Sequence, residues 1–139
     1  SLYDLLHRHL PRSALTMRSD WIFSDVVEVA REICLGMAYV HANDIVHCDL
    51  KSQNVLITCL PAAPATHCWA NFCNPVTVNS RGSVKICDFG FAQQLTAGVS
   101  AAVHIGCVGT IQWIAPEVLR GEGYLKASDV YSFGMVLWE

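Results

Sequence analysis

Three polar side chains of different chemistry lie within one short segment of the chain. Asp49 supplies a carboxylate, Lys51 an ammonium group and Asn54 a carboxamide, directly before the apolar run that begins at Val55. A loop of this kind can direct an acceptor at a hydroxyl proton, a cation at a phosphate and an amide oxygen at a metal ion. The spacing therefore indicates phosphate chemistry at a loop that precedes a strand.

Two further segments carry residues with chemical potential. In Asp88-Phe-Gly90, an aspartate that follows a strand offers a metal ligand, the phenylalanine an apolar anchor and the glycine a hinge. The third segment runs from Gly109 to Glu117 and ends in Ala-Pro-Glu. Each tripeptide is a weak signal by itself, and only the order of all three segments is specific.

A helix and a hairpin are predicted to position these segments. Apolar residues recur at helical spacing between Trp21 and His41, which predicts an amphipathic helix. The run Val55–Thr58 is typical of a short strand, and the alternating residues 83–87 predict its hairpin partner. The residues between them, 59–82, are rich in Pro and Asn and far exceed a usual hairpin loop of about 2–5 residues, so they are interpreted as an inserted loop.

Composition excludes several classes of protein. The 139 residues suffice for one ordinary domain, and 53% are hydrophobic, which excludes intrinsic disorder. A net charge of −3 argues against a general nucleic-acid binder. No apolar run reaches the ~18 residues of a membrane span, and the N-terminus has no signal-peptide pattern. The odd number of cysteines, 7, predicts reduced thiols in the cytoplasm.

The inserted loop leaves one alternative open. It contains His67, Cys68 and Cys73, with Cys59 just upstream, and four such ligands could bind zinc tetrahedrally. The paired C-x₂-C spacing of common zinc sites is missing, so free thiols are the preferred interpretation.

In their order along the chain, the three segments resemble the catalytic loop, the D-F-G metal site and the A-P-E sequence of protein kinases. The run Asp129-Val-Tyr-Ser-Phe-Gly134 also resembles the start of the long buried helix that follows A-P-E. Details of these motifs look most like the tyrosine-kinase-like serine/threonine group, around the mixed-lineage and Raf-type kinases. The resemblance implies an α+β fold, with a mainly helical large lobe and a short β-hairpin.

The resemblance also implies a role for each matching residue. Asp49 would orient the substrate hydroxyl and accept its proton, and Lys51 would neutralise charge on the transferring phosphoryl group. Asn54 and Asp88 would hold the Mg²⁺ ions that bridge the phosphates of ATP. Serine or threonine of a protein is the implied acceptor, because Lys51 and Thr110 match the serine/threonine arrangement; dual specificity stays open.

Other matching residues would line the nucleotide pocket or support the loops. Val55 and Leu56 would form the apolar floor under adenine, and Cys87 would face the same pocket. His47 and Phe89 would pack as internal support. Glu117 would pair with an arginine of the family pattern that this sequence does not contain.

The sequence lacks other parts of a kinase. No Gly-rich phosphate loop, strand lysine or partner glutamate is recognisable, so residues 1–139 are interpreted as the central part of the large lobe. We expect this chain to be inactive by itself. Two alternatives to a fragment of an active kinase remain: a pseudokinase or scaffold that binds partners, and a truncated product without activity of its own.

One departure from the family pattern concerns regulation. Cys48 occupies the position of the arginine that usually precedes the catalytic aspartate. No Asp, Glu, Lys or Arg occurs between Asp88 and Glu117, so a phosphate on Thr96 or Ser100 would find no local cation. The sequence predicts that phosphorylation of this segment is not obligatory for activity, unless an arginine from elsewhere in the protein receives the phosphate.

Overall fold

A computed structural model describes residues 1–7, 23–58, 83–95, 106 and 108–139. The helices in these ranges are α1 (Leu2–His7), α2 (Phe23–Ala42), α3 (Pro116–Leu119) and α4 (Lys126–Trp138). The strands are β1 (Ile45–Val46), β2 (Val55–Thr58), β3 (Ser83–Ile86) and β4 (Gln93–Gln94). Single 3₁₀ turns occupy Ser52–Asn54 and Ile111–Trp113.

Helix α2 confirms the predicted amphipathic helix, with its start at Phe23 and its end at Ala42. Ile33, Met37 and Val40 follow one another at helical spacing and are all buried. Gly36 lies on the face that meets β3, where an added Cβ would stand 2.9 Å from Cδ1 of Ile86. The absence of a side chain at Gly36 therefore lets the helix approach the hairpin closely. Trp21 lies outside the described residues.

The predicted hairpin is also confirmed. Strands β2 and β3 pair antiparallel, with Val55 opposite Ile86 and Thr58 opposite Ser83. Cys87, which the sequence placed in the second strand, follows its last residue. A second antiparallel pair joins β1 to β4, with Ile45 opposite Gln94. The inserted loop 59–82, with its candidate zinc ligands, lies outside the described residues.

Two apolar clusters form the core, and the segment 46–55 runs between them. The first cluster joins α1, α2 and α4 through Leu2, Ile33, Met37, Leu50, Val55 and Val136. The second surrounds α3 and consists of Val46, Cys48, Ile114, Ala115, Val118 and Tyr124. The molecule thus has the predicted α+β fold, and its helices, strands and loops all contribute side chains to the core. Within the described ranges, no helix has the length and apolar character that a bilayer crossing requires.

Candidate active site

The loop that carries the predicted catalytic residues is anchored on both sides. Val46 and Cys48 are buried in the second cluster, whereas Leu50 and Val55 are buried in the first. Asp49 lies between these anchors and is only 5% exposed. Apolar side chains buried in one core before Asp49 and in the other core after it leave the backbone little freedom, because any shift would expose one of them. The loop is therefore a fixed platform for Asp49.

Asp49, Lys51 and Thr110 form a closed hydrogen-bonded triangle. Lys51 Nζ donates to Asp49 Oδ2 at 2.6 Å and to Thr110 Oγ1 at 2.7 Å. The Thr110 hydroxyl in turn donates to Asp49 Oδ1 at 2.9 Å. Thr110, which together with Lys51 matches the serine/threonine arrangement, is thus bonded to both Lys51 and Asp49. Asp49 Oδ1 retains a second lone pair, since a carboxylate oxygen can accept two hydrogen bonds.

Asn54 lies in the 3₁₀ turn directly before β2 and also contacts Asp49. Its Nδ2 donates to the backbone carbonyl of Asp49 at 2.9 Å and to Asp49 Oδ2 at 3.3 Å. Because both contacts use the amide nitrogen, the amide oxygen points away from Asp49 and is left as an acceptor. Asn54 therefore ties the loop together while it keeps an oxygen for another ligand.

Gly109 makes the approach of Thr110 to the loop possible. It has a φ of +98°, and an added Cβ would lie 2.7 Å from the backbone oxygen of Cys48. Only glycine combines that conformation with that proximity. The Tyr124 hydroxyl donates to the backbone oxygen of Val108 and holds the same segment from the other side. Together these contacts set the position of the Thr110 hydroxyl.

His47 is a packed support, as predicted. Its ring is fully buried, Nε2 donates to the carbonyl of Cys87 at 3.1 Å, and Nδ1 accepts the backbone N–H of Asp49 at 3.3 Å. Since one ring nitrogen donates and the other accepts, the imidazole is neutral. The ring also contacts Phe89, with 4.8 Å between the ring centroids. His47 thus connects the loop that carries Asp49 to the Asp88 segment.

Cys48 sits in a strained and anionic environment. Its φ is +66°, and its backbone N–H donates to Asp129 Oδ1 at 3.0 Å. Burial, followed by the negative charges of Asp129 and Asp49, raises the pKa of the Cys48 thiol to about 12. The side chain that replaces the usual arginine is therefore neutral at physiological pH.

Asp88 lies beside Asn54 but is held by fewer contacts. The backbone N–H of Cys87 donates to the carbonyl of Asn54 at 2.9 Å. This hydrogen bond holds Asp88, the next residue, close to Asn54. Asp88 is exposed, has a φ of +62°, and accepts the N–H of Gly90 at 3.4 Å. The pKa of the neighbouring Cys87 thiol is raised by burial and by the charge of Asp88.

The two predicted adenine-floor residues point in opposite directions. Val55 is fully buried in the first core cluster, whereas Leu56 is 40% exposed. This opposition follows from the alternation of side chains along a strand. We therefore assign Val55 to the core and keep Leu56 as the residue that a base could contact.

The Ala-Pro-Glu sequence begins a short helix that is tied to α4. Pro116 is the first residue of α3, a position that suits its fixed φ. Glu117 Oε1 accepts a hydrogen bond from the Ser128 hydroxyl at 3.0 Å. Ser132 Oγ donates to the carbonyl of Trp113 at 2.7 Å, so α4 holds both ends of this segment.

Sequence reasoning assigned no function to two residues that support the loop. Asp129 is 2% exposed and accepts the backbone N–H groups of His47 and Cys48, at 2.8 and 3.0 Å. His41 Nε2 lies 2.8 Å from Asp129 Oδ2. A signal for Asp129 was present, since between Lys126 and Glu139 it is the one charged residue in an otherwise apolar and small-residue helix. Such a residue is rarely buried without partners.

Comparison with known proteins identifies the family. The family model described as the protein kinase domain matches residues 3–139. The chain is 37% identical to the serine/threonine-protein kinase CTR1 of Arabidopsis thaliana, and the match covers 100% of this chain. It is 36% identical over 88% of its length to the mitogen-activated protein kinase kinase kinase dlk-1 of Caenorhabditis briggsae. It is 32% identical over 100% of its length to the serine/threonine-protein kinase STY17 of Arabidopsis thaliana.

The chain belongs to the protein kinase family. The relatives confirm the predicted resemblance to the tyrosine-kinase-like serine/threonine group. The chain spans 14% of the length of CTR1, 11% of dlk-1 and 19% of STY17.

Proposed function

We propose that the protein to which this chain belongs transfers the γ-phosphoryl group of ATP to serine or threonine hydroxyls of protein substrates. The triangle of Asp49, Lys51 and Thr110 is the observation that carries the proposal. It places a buried carboxylate, an ammonium group and a hydroxyl on one anchored loop. Family membership and the names of the relatives support the same reaction.

In this reaction Asp49 acts on the acceptor. The free lone pair of Asp49 Oδ1 accepts the hydrogen bond of the substrate hydroxyl, orients its oxygen toward the phosphorus and receives its proton. Lys51 holds Asp49 Oδ2 at 2.6 Å, which keeps the carboxylate in one rotamer. The same ammonium group offsets the negative charge of the transferring phosphoryl group.

The oxygen donors of Asn54 and Asp88 are suitable ligands for Mg²⁺. The amide oxygen of Asn54 and the carboxylate of Asp88 are hard ligands of the kind this ion prefers, and neither is used up by the contacts described above. Mg²⁺ bound there would offset the negative charge of the nucleotide phosphates. Asn54 and Asp88 would hold it from two elements that are joined by the Cys87–Asn54 backbone hydrogen bond.

The nucleotide would lie against β2 and the residue that precedes Asp88. Leu56 offers an exposed apolar side chain for the base, and Cys87 lies between β3 and the metal ligands. Cys34, Cys48 and Cys87 are all free thiols, which agrees with action in the reducing cytoplasm. We propose a cytoplasmic signalling kinase on these grounds.

The test measures phosphate transfer in a protein that carries this chain within a complete kinase domain. The purified protein, with Mg²⁺ and γ-labelled ATP, is presented with peptide libraries in which serine, threonine or tyrosine is the only acceptor. We expect label on serine and threonine, and none when Asp49→Asn is used. Binding of Mg²⁺-ATP without transfer to any library would contradict the proposal and favour a pseudokinase scaffold. Label on tyrosine as well would show dual specificity.

A further inference from the structure

The position of Thr110 depends on how the chain is fixed on each side of it. On the C-terminal side, the backbone N–H of Trp113 donates to the carbonyl of Thr110 at 2.9 Å. The Ser132 hydroxyl donates to the carbonyl of Trp113 at 2.7 Å, so this side is tied to α4. The N-terminal side needs an anchor of its own, because it passes through Gly109.

Gly109 is required at this place and also weakens it. An added Cβ would stand 2.7 Å from the backbone oxygen of Cys48, so any side chain would force the loop to shift. Glycine, however, has more backbone freedom than any other residue, and a φ of +98° is one of many conformations open to it. If the peptide unit between Val108 and Gly109 were not held, rotation at Gly109 would carry the Thr110 hydroxyl away from Asp49.

Tyr124, which lies two residues before α4, holds this peptide unit. Its hydroxyl donates to the backbone carbonyl of Val108. The same oxygen stands 3.6 Å from the position that a Cβ of Gly109 would take, so it lies against the peptide unit itself. The side chain is 3% exposed and packs in the second cluster with Ile114 and Ala115. A buried ring leaves the hydroxyl little freedom, and its directional hydrogen bond fixes the orientation of the Val108 carbonyl.

Cys48 contributes to the same packing from the loop that carries Asp49. It is buried in the second cluster together with Tyr124, and Val108 packs against that cluster. The Cys48 side chain is a neutral thiol. Within the described residues, the segment 108–110 is therefore joined to the loop by apolar packing and by the hydrogen bonds of Thr110, without a charged side chain at position 48.

We propose that Tyr124 is a positioning residue for the phosphoryl transfer, and that it acts through the peptide unit Val108–Gly109 on the Thr110 hydroxyl. This inference rests on the proposed function. Thr110 Oγ1 accepts from Lys51 Nζ at 2.7 Å and donates to Asp49 Oδ1 at 2.9 Å. A shift of Thr110 would therefore change the direction of both the ammonium group and the carboxylate.

The effect falls on turnover and spares ATP binding. Tyr124→Phe removes the hydroxyl and keeps the buried ring. Because a small misplacement of a catalytic group lowers the chemical step by factors of about 10 to 100, we expect kcat to fall by about 10-fold. KM for ATP should not change, since the residues proposed to contact the nucleotide and Mg²⁺ (Asn54, Leu56 and Asp88) lie outside the segment 108–110.

A double-mutant cycle with Thr110→Val distinguishes positioning from a loss of stability. Thr110→Val removes the hydroxyl but keeps the shape of the side chain, so it abolishes the contact through which Tyr124 acts. In that background Tyr124→Phe should lower kcat by less than about 2-fold, because residues that act through one contact do not have additive effects. A purely structural role of Tyr124 would give the same loss of kcat in both backgrounds.

Tyr131 provides a matched control. It lies on α4, is 43% exposed and is not part of the second cluster. Tyr131→Phe makes the same chemical change as Tyr124→Phe at a position away from the Val108 carbonyl. We expect it to leave kcat unchanged.

The experiment measures kcat, KM for ATP and melting temperature in a protein with a complete kinase domain. It compares the wild type, the three single variants and the double variant Tyr124→Phe/Thr110→Val. Reduced kcat in Tyr124→Phe, with unchanged KM for ATP and little further loss in the double variant, would support the positioning role. Unchanged kcat in Tyr124→Phe, or equal losses with and without the Thr110 hydroxyl, would overturn it.

Nuclear magnetic resonance of the Thr110 methyl group separates this inference from the proposed function, because it requires no catalysis. The resonance is assigned by its loss in Thr110→Val, and its order parameter reports how firmly the side chain is held. A lower order parameter in Tyr124→Phe than in Tyr131→Phe would support the coupling even in a protein that failed to transfer phosphate. Equal order parameters in the two variants would contradict the coupling even in an active kinase.

Discussion

The catalytic loop and the Asp88 segment meet at one site but are held very differently. His47, Cys48, Asp49 and Asn54 are all buried, and their side chains or amides bond to three other segments of the chain. Asp88, Phe89 and Gly90 are all exposed. The contacts of this second segment to the loop are the His47–Phe89 ring pair and the hydrogen bonds that reach Cys87.

The two segments are therefore suited to different tasks. A proton acceptor must be aimed within a fraction of an ångström, so it benefits from a loop that is fixed before substrate arrives. A metal ligand does not need to be fixed in advance to the same degree. The charge of the bound ion attracts the ligand oxygens into its coordination shell. Few buried contacts, as at Asp88, are typical of segments that open locally at low cost.

The largest expected effects come from removing the two carboxylates. Asp49→Ala and Asp88→Ala should each lower kcat by about 10³-fold or more in a protein with a complete kinase domain, since one loses the proposed proton acceptor and the other a proposed metal ligand. Steady-state kinetics at saturating ATP and Mg²⁺ measures both, and circular dichroism checks that the fold is retained. Near-normal turnover in either variant would show that the role of that residue is wrong.

Titration with Mg²⁺ sharpens the contrast between the two carboxylates. Asp88→Asn keeps one oxygen ligand but loses the charge, so its activity should rise with Mg²⁺ concentrations that already saturate the wild type. Asp49→Asn should be insensitive to added Mg²⁺, because Asp49 is engaged with Lys51 and Thr110. The same Mg²⁺ response in both variants would remove the distinction drawn between the segments.

Substitutions of two glycines test how rigid the loop that carries Asp49 is. Gly109→Ala forces a Cβ to within 2.7 Å of the Cys48 backbone oxygen at a φ of +98°. We expect a loss of unfolding free energy of about 2–3 kcal/mol, together with reduced kcat. Gly121→Ala is the control, since its φ of +80° is similar but no atom of the described residues lies within 4 Å of an added Cβ. It should cost only about 1 kcal/mol, from backbone strain. Equal losses of unfolding free energy in both variants would mean that the loop moves to relieve the contact with the Cys48 backbone oxygen and is therefore not rigid.

Alkaline pH tests the burial of Cys48. Because its pKa is raised from 9.0 to about 12, the folded protein keeps the proton that the unfolded chain loses. The resulting stability is fully present below pH 9 and is lost as pH rises toward 12, by about 1.4 kcal/mol for each pH unit. Urea unfolding at several pH values should show a steeper decline for the wild type than for Cys48→Ala. Parallel curves would contradict the raised pKa.

The smallest expected effect concerns phosphorylation between Asp88 and Glu117. The side chain at Cys48 is a neutral thiol, and the Asp129 carboxylate accepts hydrogen bonds from the loop amides of His47 and Cys48. We therefore expect phosphatase treatment, Thr96→Ala and Ser100→Ala to leave kcat within about 2-fold of the untreated enzyme, since without a local cation no charge-assisted bonds are lost. Thr96 and Ser100 lie outside the described residues.

Kinase assays before and after phosphatase treatment measure this directly. A large loss of activity that returns on rephosphorylation would show that an arginine from elsewhere in the protein receives the phosphate. The conformation of the loop that carries Asp49 would then depend on that phosphate as well as on the hydrogen bonds described above.

Local patterns were sufficient to predict much of this molecule. The helical spacing before His41 predicted α2, the apolar run Val55–Thr58 predicted β2, and the alternating residues 83–87 predicted β3. The order of the Asp49, Asp88 and Ala115-Pro-Glu117 segments predicted the family. The positions of Asp49, Lys51 and Asn54 along the chain also predicted that they would share one loop.

Contacts between distant residues were decided only by the tertiary structure. Asp129 is far from His41 and Cys48 in sequence, and α4 must pack behind the loop before its carboxylate can bind their N–H groups. Likewise, strand alternation required that Val55 and Leu56 face opposite sides, but the packing of the first core cluster decided which of them is buried. The sequence by itself determined which chemical groups this protein has and the local elements that carry them. Only the tertiary structure decided which groups meet and which remain exposed, because hydrogen bonds and burial depend on distances that no local pattern encodes.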